Sequence, residues 1–446
     1  ETVCFGSDDG HMYCVDLHTG ALRWKQQAAP SERLLLGNRR LISVWPVRGG
    51  PVVKDGVVYF AAGVWPFEGV FIYAMQIETG KIIWRNDRMG YLFGQQPHNT
   101  QAIGGLAPQG YLLIDEDELI VPCSTAYPAR LNRLTGELIE FELPSAGRYP
   151  GGWFAALDPD QARALRRGKL TFDESINSQQ HEDKLHSGDG GVAELSREIR
   201  TPSQVVNFDV PGVDVKGQVH AMLVADNALF VVTAKGEILC FRDGKQLGKK
   251  SPDASSIPRT KLRPSRDAIL QAESIVAHAS SEHGIAIVYG LKDGDLAKAL
   301  IESTHYHVVI LDDQLQRCQT LRRDLDAAGV YGTRAAVMHC AMGQVALPPY
   351  LTTVMVTERD KLPVSPSLQT LRPFGGVAVN LVLPESDSEQ LKQQGFVLSN
   401  IKGVPVIQRQ GALAGANEYA GDWALSEDQL VRFPLGVLWF DDTLAH

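Results

Sequence analysis

The stretch CVDLHTGALRW, residues 14–24, constrains this chain more than any other. Asp16, Thr19 and Gly20 form a polar turn between two apolar runs, and Trp24 returns on the outgoing run. Glycine supplies the positive φ that tight turns need, while the short Asp and Thr side chains hydrogen-bond nearby backbone groups. The spacing predicts a β-hairpin with an aromatic anchor on its second strand.

The pattern returns. Residues 74–84 read AMQIETGKIIW, with Gln76 in the place of Asp16 and Thr79, Gly80 and Trp84 in register. Residues 130–140, RLNRLTGELIE, keep Thr135 and Gly136 but carry Glu140 where the tryptophan stood. A fourth copy, GEILCFRDGK, keeps Gly236 and a shortened Asp243-Gly244 turn. Repetition at fixed internal spacing means one structural unit used several times, each burying its apolar faces against its neighbours.

This signature resembles the repeat of quinoprotein-type β-propellers, the fold of PQQ-dependent alcohol dehydrogenases and of non-enzymatic bacterial scaffold propellers. The resemblance covers residues 1–250 and implies propeller blades there, with Trp24 and Trp84 buried between adjacent four-stranded blades. In that family the quinone is held by other residues, including an adjacent pair of disulfide-bonded cysteines. The sequence contains no Cys-Cys pair, so PQQ is not expected.

Length and charge narrow the class. A chain of 446 residues holds two or three domains. A net charge of -9 without a basic stripe argues against a nucleic-acid partner, and no apolar run is long enough to span a membrane. The opening ETVCFGSDDG reads as the middle of a strand pair, which leaves room for a targeting segment upstream. Of the six cysteines, Cys14 and Cys240 share a repeat position and read as small buried apolar residues. A Cys4–Cys14 disulfide needs neighbouring strands, which spacing alone leaves open. His181 and His186 lie in a polar stretch, residues 158–200, read as an exposed loop; no metal site is expected.

Along the chain, Lys54-Asp55-Gly56 is a hairpin turn, residues 88–105 read as a long loop, and residues 115–118 make an acidic turn. Asp226-Asn227 turns the last propeller-like hairpin, and residues 251–265 form a Pro- and Ser-containing linker. From Arg266 the pattern changes to strands alternating with helices, which predicts a parallel sheet, closed by a hairpin made of GFVLSN and VPVIQRQ.

The order of these elements and the stretch VYGLKDGDL resemble the class I S-adenosylmethionine-dependent methyltransferases, with a Rossmann-like domain over residues 266–410. In that family a glycine-rich loop leaves the first strand so that the cofactor can approach the backbone. The resemblance assigns cofactor contacts to Gly290, Leu291, Gly294, Asp312, Asp313 and Met342, with Asp312 as the ribose acceptor. The chain departs from the family at Val288, where an acid belongs, at Lys292, where a glycine belongs, and at Ala341, where the adenine-binding Asp belongs. S-adenosylmethionine is therefore expected to bind weakly or not at all.

Residues 371–376, LRPFGG, match the family's turn into its fifth strand, and Pro348-Pro349-Tyr350 reads as a loop. Glu358, after the fourth strand, reads either as an acid or base or as a solvated charge. No nucleophile, base and orienting group converge, so no catalytic residue is assigned. Residues 411–446 resemble the opening of another blade, with Trp423 and Trp439 as anchors and Phe433-Pro434 as its entry. The expectation is a propeller completed by a longer polypeptide or a protein partner.

The function this implies is a non-catalytic scaffold or binding protein, in an extracytoplasmic location. The alternatives are a cytoplasmic, active S-adenosylmethionine-dependent methyltransferase to which the propeller presents substrate, and a quinone-dependent dehydrogenase.

Overall fold

The computed structural model describes residues 1–37, 40–95, 100–123, 128–141, 198–200, 205–207, 219–225, 228–233, 237–242, 245–247, 258–342, 345–359, 365–381, 385–401, 403–413, 437 and 439–440. The chain divides into two compact units: Glu1–Ser31 with Ile42–Ser251, and Glu32–Leu41 with Pro252–His446. His181, His186, Gly236, the Asp226-Asn227 and Asp243-Gly244 turns, Trp423 and Phe433-Pro434 lie outside the described residues.

The first unit is built of antiparallel meanders. The first sheet runs through Thr2–Gly6, His11–Asp16 and Leu22–Gln27, and the second through Val52–Lys54, Val57–Ala62, Phe71–Gln76 and Ile82–Asn86. Leu113–Asp115, Glu118–Val121, Ala129–Asn132 and Leu138–Glu140 form the third; Val219–Ala225, Ala228–Thr233, Ile238–Arg242 and Lys245–Leu247 form the fourth. In the second sheet the Asp55-Gly56 turn has φ of 53° and 74°, the doubly left-handed geometry that matches strand twist.

Successive side chains of a strand point to opposite faces. In Val57–Ala62, Tyr59 and Ala61 pack with Leu119, Val121 and Leu131 of the third sheet, whereas Val58, Phe60 and Ala62 pack with Met12 of the first. The second sheet is thus buried on both faces, which explains why Val57–Ala62 is apolar throughout rather than alternating. Burial of each large aliphatic or aromatic side chain there contributes about 1.5–3 kcal/mol.

The repeated turns share one hydrogen-bond scheme. Asp16 Oδ1 accepts from the backbone N–H groups of His18 and Thr19 at 3.1 and 3.0 Å, and Asn132 Oδ1 does the same for Leu134 and Thr135 at 2.9 and 3.0 Å. The hydroxyls of Thr19, Thr79 and Thr135 accept from the N–H two residues on, at 3.2, 3.2 and 3.3 Å. Gly20, Gly80 and Gly136 close the turns at φ of 69°, 70° and 76°.

Each anchor tryptophan reaches the turn of the next sheet. The Trp24 indole donates to the Ile77 carbonyl at 2.8 Å and the Trp84 indole to that of Arg133 at 2.9 Å. A Cβ on Gly80 would stand 2.8 Å from the Trp24 ring, and one on Gly136 2.5 Å from the Trp84 ring; one on Gly20 would meet nothing within 4 Å. The turn glycines of the second and third sheets therefore serve twice, for φ and as the seat of an indole.

Three expectations are corrected. Trp24 and Trp84 are half-buried rather than fully buried, because each indole lies across an exposed turn. Among the described residues the first sheet has three strands, so within them Trp24 does not lie between two four-stranded sheets. Residues 88–105 are not a plain loop: Leu92–Gln95 and Gln101–Gly104 pair as a ribbon with Phe93 opposite Ile103. Its glycines, Gly94 and Gly104, masked the strand pattern.

The second unit centres on a seven-stranded sheet. In chain order its strands are Ile285–Tyr289, His307–Asp312, Ala335–His339, Thr352–Val356, Gly376–Val379, Phe396–Ile401 and Val404–Arg409. They lie in the order third, second, first, fourth, fifth, seventh, sixth; the first five are parallel and the last two form an antiparallel hairpin. Ala286, Val288, Val308 and Ile310 pack on one face with helices Arg266–Val276, Asp295–Ser303 and Leu315–Ala327; Ile287, Tyr289, Val309 and Leu311 pack on the other with Leu368, Leu391 and Phe396. Trp439–Phe440 pairs in parallel with Leu34–Gly37, Trp439 opposite Leu36.

Candidate functional site

In a doubly wound sheet ligands gather outside the carboxyl ends of the strands, where the strand order reverses direction. Here that point lies between the first and fourth strands. The loop leaving Ile285–Tyr289 and the residues following Thr352–Val356 flank it, and a cleft of about 400 Å³ opens there, bordered by Ser265, Gln271, Lys292, Thr357, Glu358 and Asn380.

The first strand is buried at all five positions, which fixes where its loop begins. Gly290 has a φ of 91° and donates to the Leu311 carbonyl at 2.7 Å. Gly294, at φ 82°, is the N-cap of helix Asp295–Ser303 and supplies no side-chain hydrogen bond of its own. A helix start leaves N–H groups that need an acceptor, and its dipole favours a negative one.

Glu358 is that acceptor. Its Oε2 takes the backbone N–H groups of Lys292, Asp293 and Gly294 at 2.9, 3.3 and 2.9 Å, and its Oε1 that of Ala297 at 3.1 Å. The Glu358 N–H donates to the Gly290 carbonyl at 3.2 Å. Of the two readings open in the sequence, acid or base against solvated charge, the geometry matches neither: the carboxylate caps a helix from more than sixty residues away in the chain.

Asp312, at the end of the second strand, is fully buried. Its Oδ2 accepts the Leu291 N–H at 2.7 Å and its Oδ1 the Gln314 N–H at 2.8 Å. Arg317 and Arg359 stand 3.9 and 3.7 Å from Oδ2, which balances a charge that burial alone would disfavour. Arg317 also donates to the Leu291 carbonyl at 2.7 Å. Arg359 donates to Asp313 Oδ1 at 2.8 Å. Burial pushes the Asp313 carboxyl up, but the Arg359 and Gln314 hydrogen bonds outweigh it and hold the group below the usual carboxylate range.

Gly290, Leu291, Gly294, Asp312 and Asp313 thus converge on one cluster, joined by Glu358 and Arg359. Met342 packs its side chain on the apolar sheet face shared with Tyr289 and Leu311, and Ala341 is exposed. Val288 is a core residue of the other face. The roles of Glu358, Arg359 and Arg317 escaped the sequence reading, since nothing local to residues 357–359 announces which loop they meet. The one available signal was the bare glycine N-cap at Gly294, which demands an acceptor from elsewhere. Among the described residues no group of three or more His, Cys, Asp or Glu is placed to hold a metal ion.

Comparison with known proteins gives separate likenesses for the two parts. No curated protein matches the chain. Among solved structures, BamB from Moraxella catarrhalis is similar at 16% identity over 54% of this chain and 56% of its own, with a TM-score of 0.25. A quinohemoprotein alcohol dehydrogenase from Pseudomonas putida aligns at 17% identity over 34% of this chain and 26% of its own, TM-score 0.24. A putative S-adenosyl-L-methionine-dependent methyltransferase from Methanococcus maripaludis aligns at 12% identity over 32% of this chain and 84% of its own, TM-score 0.27. The chain thus spans about half the length of the BamB structure and about a quarter of the dehydrogenase. The family whose model matches, over residues 1–147, is described as outer membrane protein assembly factor BamB, and it is this repeat region that the chain shares with it.

Proposed function

We propose that the chain is a non-catalytic binding or scaffold protein, in which propeller-type sheets accompany a methyltransferase-like unit whose ligand cradle is filled by its own side chains. The observation that carries this is the Glu358-Arg359 step. Glu358 holds the N–H groups that a glycine loop would offer a ligand, and Arg359 lies against the two carboxylates, Asp312 and Asp313, that would take a ribose. The residues present therefore do not fit S-adenosylmethionine. Asp312 is fully buried with both oxygens already accepting backbone N–H groups, and the loop has no spare donors at Lys292, Asp293 or Gly294. The likeness of residues 1–147 to an outer membrane protein assembly factor supports an extracytoplasmic location.

A second reading, an active methyltransferase, draws support from the strand order, with its central first strand and reversed seventh, and from the positive φ of Gly290 and Gly294. Titration calorimetry of the full chain with S-adenosylmethionine separates the two. No binding heat is expected from the unaltered protein; micromolar binding would reject the self-filled cradle and leave the methyltransferase reading standing.

A further inference from the structure

We propose that Cys4 and Cys14 are a cross-strand disulfide pair that fastens the outer strand of the first sheet. Cys4 lies directly opposite Cys14 in the antiparallel pairing of Thr2–Gly6 with His11–Asp16. In such a ladder, opposed residues alternate between hydrogen-bonded pairs and closer non-hydrogen-bonded ones. Leu17 N–H donates to the Glu1 carbonyl at 3.2 Å and Ser7 N–H to the His11 carbonyl at 3.0 Å. These two bonds make 1/17 and 7/11 the bonded pairs, so counting by twos puts Cys4 and Cys14 in a non-hydrogen-bonded pair. There the Cα atoms approach to about 4.5 Å, within the roughly 4.4–6.8 Å that a disulfide spans. Directly opposed residues of paired strands carry their side chains on the same face of the sheet, so both thiols lie on one face.

Access sets the order of events. Cys14 is fully buried and Cys4 half-buried, so Cys4 meets an external oxidant first. With oxidised glutathione, the Cys4 thiolate attacks one sulfur of the reagent's disulfide and releases one glutathione thiolate. Cys14, as thiolate, then attacks the Cys4 sulfur and expels the second. One S–S bond forms and one breaks, the two cysteine protons leave to solvent or to the glutathione thiolates, and two electrons pass from the cysteines to glutathione.

The link has a structural consequence. Among the described residues Thr2–Gly6 is an edge strand of a three-stranded sheet, the place where opening and unwanted pairing begin. Closing a loop of about eleven residues raises the folded-to-unfolded ratio by about a hundredfold in the chain-entropy treatment. Cys14 also faces Trp24 on its other neighbour, so the link ties Thr2–Gly6 to the strand that lies next to the indole seated on Gly80.

The test uses the full chain, equilibrated with mixtures of oxidised and reduced glutathione, quenched in acid, unfolded and alkylated with iodoacetamide. The tryptic peptide ending at Arg23 carries both cysteines. The expected result is that this peptide loses both alkyl groups together and becomes lighter by two hydrogens. Hydrogen exchange of residues 2–6 in the oxidised form should slow, by up to about a hundredfold, and return on reduction. Cys4→Ser and Cys14→Ser should each abolish the coupled loss. Continued alkylation of both cysteines under excess oxidised glutathione, a glutathione adduct on Cys4 with Cys14 free, or unchanged exchange in the linked form would each overturn the proposal.

Discussion

Replacing the three equivalent turn glycines by alanine separates backbone strain from indole seating. At Gly20, Gly80 and Gly136 the φ values are 69°, 70° and 76°, so an alanine pays nearly the same left-handed cost at each, about 1–2 kcal/mol. Only the surroundings differ. Gly20→Ala adds a methyl group to open space, whereas Gly80→Ala places it 2.8 Å from the Trp24 ring. The ring must shift, at about 1–3 kcal/mol for overpacking, and strains its 2.8 Å bond to the Ile77 carbonyl, worth about 0.5–1.5 kcal/mol. Gly80→Ala should therefore cost about 2–6 kcal/mol, against about 1–2 for Gly20→Ala. Because the chain has two units, global two-state unfolding is not assumed; native-state hydrogen exchange of peptides covering Phe71–Gln76 reads the local stability. Trp24→Ala combined with Gly80→Ala should cost less than the sum of the two, by about 1–3 kcal/mol, since removing the indole vacates the space. Equal costs at Gly20 and Gly80 with an additive double variant would refute the seating of Trp24 on the second sheet's turn.

Trp84→Ala should lower local stability by about 2–4 kcal/mol, below the usual range for a fully buried large aromatic because the ring is half-buried, and Trp84→Phe should recover part of it; exchange of Ala129–Asn132 measures both. Glu358→Ala removes four hydrogen bonds from the start of helix Asp295–Ser303 and should destabilise it by about 1–2 kcal/mol, read as faster exchange of that helix, with Glu358→Gln keeping part of the cap. Lys292→Gly with Ala341→Asp should give no S-adenosylmethionine binding by calorimetry while Glu358 and Arg359 remain, and adding Glu358→Ala and Arg359→Ala should give a measurable gain. Asp9 sits at about 2: burial pushes its carboxyl up, but hydrogen bonds from His11, Tyr13 and Ser7 outweigh this. A folded value below the unfolded one, about 3.9, means that its contribution is complete above about pH 4 and is lost as pH falls toward 2. Asp9→Asn should flatten that acid limb of the first sheet's stability curve, followed by hydrogen exchange of His11–Asp16.

What the sequence determined by itself was local. The Asp/Gln/Asn-x-x-Thr-Gly turns at residues 16, 76 and 132 carry their own hydrogen-bond chemistry, so their geometry was legible from residue types alone. The change to strand-helix alternation at Arg266 likewise follows from hydrophobic period, and the closing hairpin from two short apolar runs. Tertiary structure decided whatever depends on partners distant in the chain. That an indole stands where the Cβ of Gly80 would be, and that the glycines of residues 88–105 interrupt a ribbon and not a loop, both depend on which segments meet. The candidate site shows this most clearly. Gly290, Gly294 and Asp312 were visible as a worn loop and its acid, but the carboxylate that fills the loop comes from Glu358, brought there by the parallel pairing of the first and fourth strands. A glycine N-cap specifies that an acceptor is needed; only the fold selects which residue provides it.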